Sequence, residues 1–235
     1  MIKIIILAVV AFLLVAGVVF ALNSYNHMLK IYKRYDNEFV YCNLTGIEFA
    51  TFAINRLGLK TKIAIIEKEL GECYLPSKDV VCISRHTANK SSVSSICVTA
   101  HELGHAVQNK NHSGLFVLQS FLSILGKISL FLFPFMIIAS IVLFFIPERA
   151  GLATTLLLVA FAMLLVVFLL KVVTIPMEKQ ASKIAYNFLK DNRVLSASEL
   201  KHAKKVLDAA LGTYIAGLFM PIIRFFRGLG RMFKR

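Results

Sequence analysis

The sequence predicts a mainly α-helical membrane protein that carries a small α+β domain. Of the 235 residues 57% are hydrophobic and the mean hydropathy is +0.71, whereas a soluble domain is only about half apolar. Apolar runs at 4–22, 128–146 and 152–174 each approach the roughly 20 residues that a helix needs to cross the hydrocarbon layer. Between the first and second runs, residues 23–114 are more polar and mix helical with β-type spacing.

Residues 1–22 form the first predicted transmembrane helix, on the uncharged stretch IIILAVVAFLLVAGVVFAL. A cleaved signal peptide is the competing reading. Its apolar core would be unusually long, and Phe20-Ala21-Leu22 supplies no Ala-x-Ala site, so a retained helix is expected. In the domain at 23–114, Asn23 to Tyr35 and Gly46 to Leu57 have helical spacing, with Gly58 as a stop. Lys62 to Glu67 and Asp79 to Ser84 are short β-type runs joined through Gly71 and Pro76, which predicts a hairpin or small sheet. A helix around residue 100 comes next, with Ser91 and Ser92 or Ser94 and Ser95 as caps and Asn109 to Gly114 as its stop.

Leu115 to Ile146 is too long for one straight span and is interrupted by Lys127 and Pro134. It reads as an interfacial approach leading into a span at 128–146. Pro147 to Gly151 is a tight turn and Leu152 to Thr174 the third span. Segment 115–174 therefore ends in a transmembrane hairpin, and the chain beyond Thr174 lies on the same side of the membrane as the chain before Leu115. Residues 175–208 continue as a helical segment, opened by Pro176, with Ile184, Ala185, Phe188 and Leu189 on an apolar face. In the last segment, 209–235, the apolar run to Ile223 is short for a span and the tail bears Arg224, Arg227, Arg231, Lys234 and Arg235. A basic amphipathic helix lying in the interface is expected, with membrane insertion as its rival.

His101-Glu102-Leu103-Gly104-His105 carries the chemistry. Two histidines four apart on a helix point the same way and grip one metal ion, and the glutamate after the first is held beside it. Two imidazoles suit zinc, and Glu102 is placed to take the proton of a zinc-activated water, the chemistry of a metallopeptidase. Ala100, Leu103, Ala106 and Val107 give the motif helical surroundings, and Gly104 leaves room beside the metal. An ordinary helix whose histidines make hydrogen bonds is the bland alternative. A peptidase zinc normally takes three protein ligands. The hairpin allows the third to come from beyond residue 174, where Glu178, Asp191, Glu199 and Asp208 compete. Glu178 leads on position, although a carboxylate in the first turn of a helix is common for dipole reasons alone.

These residues bear a family resemblance. Tyr74 to Lys78, Ile83-Ser84 and Thr99 to Gln108 resemble the YugP-type neutral zinc metallopeptidases, and so do Thr174 to Glu178 with Ala181-Ser182 and Lys205 to Leu207 with Thr213 to Ala216. The resemblance covers most of the chain. It implies a membrane-anchored gluzincin with a zincin-like domain at 23–114, one zinc ion per chain on His101, His105 and Glu178, and Glu102 as general base. The chain departs from the family at Glu72-Cys73-Tyr74, where Asp-His-Tyr is usual, and at Gln180, where an acidic residue is expected.

The other titratable residues are weaker candidates. His202 and Tyr214 compete to stabilise the oxyanion, while His27, His86 and His112 read as surface residues. Cys42, Cys73, Cys82 and Cys97 show no Cys-x-x-Cys spacing. They argue for a reducing side, with a Cys73 to Cys82 bridge open if that side oxidises. Lys30, Lys33 and Arg34 after span one and Lys179, Lys183, Lys190 and Arg193 after span three predict a cytoplasmic catalytic side in the cell membrane. The net charge of +14 fits anionic lipid at the basic C-terminus, and no nucleic-acid recognition module is visible. The expected function is hydrolysis of membrane-proximal protein or peptide substrates. A catalytically inactive zinc-binding membrane scaffold or chaperone is the alternative.

Overall fold

The computed structural model describes residues 2–216. Helix α1 (Ile2–Asp36) takes in both the first apolar run and the predicted helix at 23–35, so no break separates them. A turn leads to α2 (Gly46–Leu57), fixed at its start by a capping box. Thr45 accepts from the Glu48 N–H while the Glu48 carboxylate accepts from the Thr45 backbone. Gly58 closes the helix in the left-handed conformation at φ 59°.

Three strands come next: β1 (Lys62–Ile66), β2 (Cys73–Leu75) and β3 (Val80–Ser84). β3 is central, parallel to β1 and antiparallel to β2. The expected pairing of 62–67 with 79–84 therefore exists, but as a parallel ladder and not as a hairpin. The chain returns through β2, whose Cys73 lies directly opposite Cys82, and both are free thiols. Three residues ahead of Pro76 are too few for a period-2 signal, which is why β2 is invisible in the sequence.

The short α3 (Arg85–Asn89) connects to α4 (Val93–Lys110), the helix at the centre of the domain. Ser92 caps α4 through the Ser95 N–H. From Val93 to Gln108 only Val98 and Val107 escape full burial, so α4 is enclosed on every side, which its small residues permit. Asp36 ties α1 to this region by accepting from Lys90 Nζ at 2.6 Å, Ser92 Oγ at 3.0 Å and the His86 ring at 2.9 Å. His86 is thus a structural partner and not the isolated surface residue expected, whereas His27 and His112 are exposed.

The long helices α5 (Gly114–Phe144) and α6 (Ala150–Asp191) are joined by a 3₁₀ turn at Pro147–Arg149 and pack as a hairpin. Among the described residues these two are long and apolar enough to cross a membrane, with mean hydropathies of 2.3 and 3.0 over their most apolar stretches. Phe131, Phe161 and many other large apolar side chains on them are exposed, a surface far beyond what water tolerates. Small residues hold the hairpin together, with Gly126 against Leu170 and the Ser140 hydroxyl donating to the Ala153 carbonyl at 2.8 Å.

Both prolines, Pro134 and Pro176, lie inside continuous helices. Glu178 consequently sits in the body of α6 and not in the first turn of a new helix. Helix α7 (Ala197–Ala216) then crosses back over α1. His202 stacks on Tyr35 with ring centres 4.7 Å apart and pairs with Glu38 at 2.7 Å. The expected basic tail from residue 217 to Arg235 lies outside the described residues.

Candidate metal centre

Helix periodicity puts His101 and His105 on one face of α4, and α6 brings Glu178 against that face. One ligand atom from each lies within 4.8 Å of the others, and the three residues are only 5–7% exposed. Glu178 Oε2 stands 3.2 Å from the Nε2 atoms of both histidines. Tetrahedral bonds of about 2.0–2.1 Å would place ligand atoms about 3.3–3.4 Å apart. The donor set, its burial and the two glutamate–histidine separations fit a zinc ion.

The histidines are oriented from behind. Gln108, three residues after His105, accepts from its Nδ1 at 2.9 Å. The Gln108 amide nitrogen donates to the Met177 carbonyl and to Gln180 Oε1, both at 2.9 Å. With its NH₂ committed there, Gln108 presents only oxygen to His105, which places the ring proton on Nδ1 and leaves Nε2 as the ligand. Ser182 Oγ lies 3.2 Å from His101 Nδ1. Neither partner has a role in the motif itself, and the i, i+3 spacing of His105 and Gln108 is the signal that points to one of them. Gln180, where an acidic residue was expected, serves as the acceptor for Gln108. Gly104 makes room for a neighbour other than the metal, since its bare Cα faces the backbone of Ala181.

Charge is set by burial and proximity. Burial raises the Glu178 carboxyl, but its bonds to His101 and His105 outweigh that and hold it down at about 2. Burial lowers His105, and the Glu178 bond and charge carry it up to about 9. Glu102 is pushed up by burial, against the opposing charges of His101 and His105 and a backbone bond from Tyr74 in β2. It is a buried carboxyl group beside the two histidines and Glu178.

The two oxyanion candidates separate. Tyr214 reaches the centre, its ring 6.5 Å from that of His101. Burial pushes that hydroxyl well above its ordinary value, so it stays a donor. His202 is held away on Glu38 and Tyr35.

Fold and centre together define a class: helical proteins with two candidate membrane spans and a buried metal-binding group of two histidines and a glutamate. The chain belongs to the family described as putative neutral zinc metallopeptidase, whose model matches residues 4–232. It is 28% identical over 186 residues to the putative membrane protease YugP of Bacillus subtilis (strain 168), a similarity that spans 78% of each chain. No solved structure matches.

Proposed function

We propose that this chain is a membrane-embedded zinc peptidase acting on membrane-proximal protein substrates, with one zinc per chain on His101, His105 and Glu178. The observation that carries the reading is the convergence of those three side chains next to the buried carboxylate of Glu102. Zinc bound there would polarise a peptide carbonyl and acidify a water molecule. Glu102 takes the water's proton and returns it to the leaving amine. The Tyr214 hydroxyl, a donor at the rim, stabilises charge developing on the carbonyl oxygen. β2 pairs with β3 on one side only, and it packs against α4, the helix that carries Glu102. Its other edge is suited to hold an extended substrate by backbone hydrogen bonds.

Glu178 lies four residues beyond Thr174, about 6 Å along the helix from the end of the apolar run, which supports substrates at the bilayer surface. In the same reading residues 1–22 form a further span, residues 23–114 a zincin-like domain, and the catalytic side is cytoplasmic, facing anionic lipid. The test is zinc content and hydrolysis of fluorogenic peptides by wild type and Glu102→Gln. Both should hold one zinc, and only wild type should turn over, by a factor of at least about 10². Equal turnover by the two proteins would sink the mechanism, and a zinc-loaded but inactive wild type would favour the scaffold. Glu178→Ala should lose zinc, and retained zinc would remove Glu178 from the ligand set.

A further inference from the structure

Next to the ligand group lies a cavity of about 150 Å³, and one end of it is formed by His101, Glu102 and Tyr214. Most of the remainder is apolar. Met28 of α1, Val98 of α4 and Val206, Leu207 and Ala210 of α7 supply its walls. Two polar side chains, Tyr32 and Glu72, also border it. One Glu72 carboxylate oxygen accepts from the Ser84 hydroxyl and the Thr87 hydroxyl at 2.6 Å each.

Leu70 also lines it, an apolar side chain 40% exposed on a backbone with φ of 52°. A bulky non-glycine residue in the left-handed region is strained, and such strain persists where the surrounding structure holds the side chain in place.

We propose that this cavity selects a large apolar side chain, of leucine or phenylalanine size, on the substrate residue adjoining the scissile bond. The inference rests on the peptidase reading. Adjacency is required because the general base and one ligand line the same space, so a side chain seated there belongs to a residue within one position of the attacked carbonyl. Size is set by the volume of about 150 Å³, since an apolar cavity of about that size accepts a benzene ring. An aspartate side chain would lose its hydration among Val98, Val206 and Leu207 and would meet the carboxyl groups of Glu72 and Glu102. α1 and α7 contribute most of the walls, so these two helices determine specificity while α4 and α6 hold the metal ligands.

The experiment uses the full-length, zinc-loaded protein in detergent and five peptides of one polar frame, differing at a single position: Leu, Phe, Ala, Asp or Lys. Leu and Phe peptides should be cut with kcat/KM at least about tenfold above Ala, always on the same side of that residue. Ala210→Leu, at a half-buried position on α7, should fill the cavity and bring the Leu and Phe peptides to within a few-fold of Ala. Val98→Ala, which enlarges the cavity, should shift preference from Leu toward Phe. Wild type cutting all five alike, or Ala210→Leu keeping the full preference, overturns the proposal.

If zinc-loaded wild type cuts none of the five, the peptidase reading has failed, and fluorescent versions of the same peptides are used in a binding measurement. Tighter binding of Leu and Phe that disappears in Ala210→Leu then supports the subsite. Equal binding of all five overturns it.

Discussion

Gly104→Ala tests whether the closeness of α4 and α6 assembles the centre. A Cβ at residue 104 would lie 2.6 Å from the Ala181 carbonyl oxygen, 3.2 Å from its carbonyl carbon and 3.3 Å from its Cα. All three are backbone atoms, so no change of rotamer relieves the clash. Restoring ordinary contact, from 2.6 to 3.4 Å, requires the helices to part by about 0.8 Å, an overpacking that costs about 1–3 kcal/mol. Ligand positions in a zinc site tolerate about 0.2 Å, and the displaced helix carries Glu178. Zinc affinity should fall about 10- to 100-fold, the range seen when the surroundings of ligands are disturbed.

The assay is competition against a chelating dye, with thermal unfolding of the metal-free protein alongside. Gly212→Ala is the control, because nothing lies within 4 Å of a Cβ there and alanine in a helix is worth about 0.5–1 kcal/mol over glycine. Wild-type zinc affinity in Gly104→Ala would refute the reasoning.

Gln108→Ala strips the acceptor from His105 and removes the side-chain donor to the Met177 carbonyl. It should cost about 1–3 kcal/mol in thermal unfolding and weaken zinc about 10- to 100-fold in the dye competition. The pH dependence of the metal-free protein is governed by His105, whose folded value of about 9 lies above its ordinary 6.5. Its stabilising contribution is complete below pH 6.5 and is lost as pH rises from there through about 9, with a slope of at most about 1.4 kcal/mol per unit. Zinc must displace that proton, so zinc affinity should climb over the same window, and unfolding and zinc titrations at pH 6, 7.5 and 9 check both signs. Asp36→Ala removes one acceptor from Lys90, His86 and Ser92 and should lower stability by about 2–3 kcal/mol in chemical denaturation.

How much of the fold and centre was legible depended on the range of the interaction. His101, Glu102 and His105 share one helix, so spacing alone sets their common face. Glu178 is 77 residues from His101 and became a candidate only because two apolar runs with a short turn between them must bring the chain back. Ser182 and Gln180 were in view as letters of a segment, but their bonds to His101 and Gln108 depend on the rotation of α6 against α4, which no periodicity states. The parallel pairing of β1 with β3 is likewise a matter of topology. His202 and Tyr214 could have been separated in advance. They lie 12 residues apart on one helix, and at 100° per residue that leaves them about 120° apart around its axis, so they cannot both face one metal.

The continuity of α6 through Pro176 gives the centre its dependence on the hairpin. A proline in a helix lacks an N–H and frees a carbonyl in the preceding turn, yet here the helix runs from Ala150 to Asp191. Nearby, the Thr174 hydroxyl donates to the Leu170 carbonyl at 2.9 Å, and the next turn is clamped onto α4. Gln108 holds Met177 and Gln180, Ser182 touches His101, and Ala181 lies on Gly104. Every residue from Met177 to Ser182 except Lys179 therefore contacts α4 or supplies a ligand. At the other end of the hairpin's base, Phe116 in the first turn of α5 lies against both His105 and Tyr74, with ring centres 6.3 Å apart in each case. A tilt of either long helix must then move Glu178 relative to the histidines, or His105 relative to the edge strand. The proposed ligand set is divided between a helix buried in the domain and a helix that leaves it along the apolar hairpin, so the packing that seats the hairpin is the same packing that brings His101, His105 and Glu178 together.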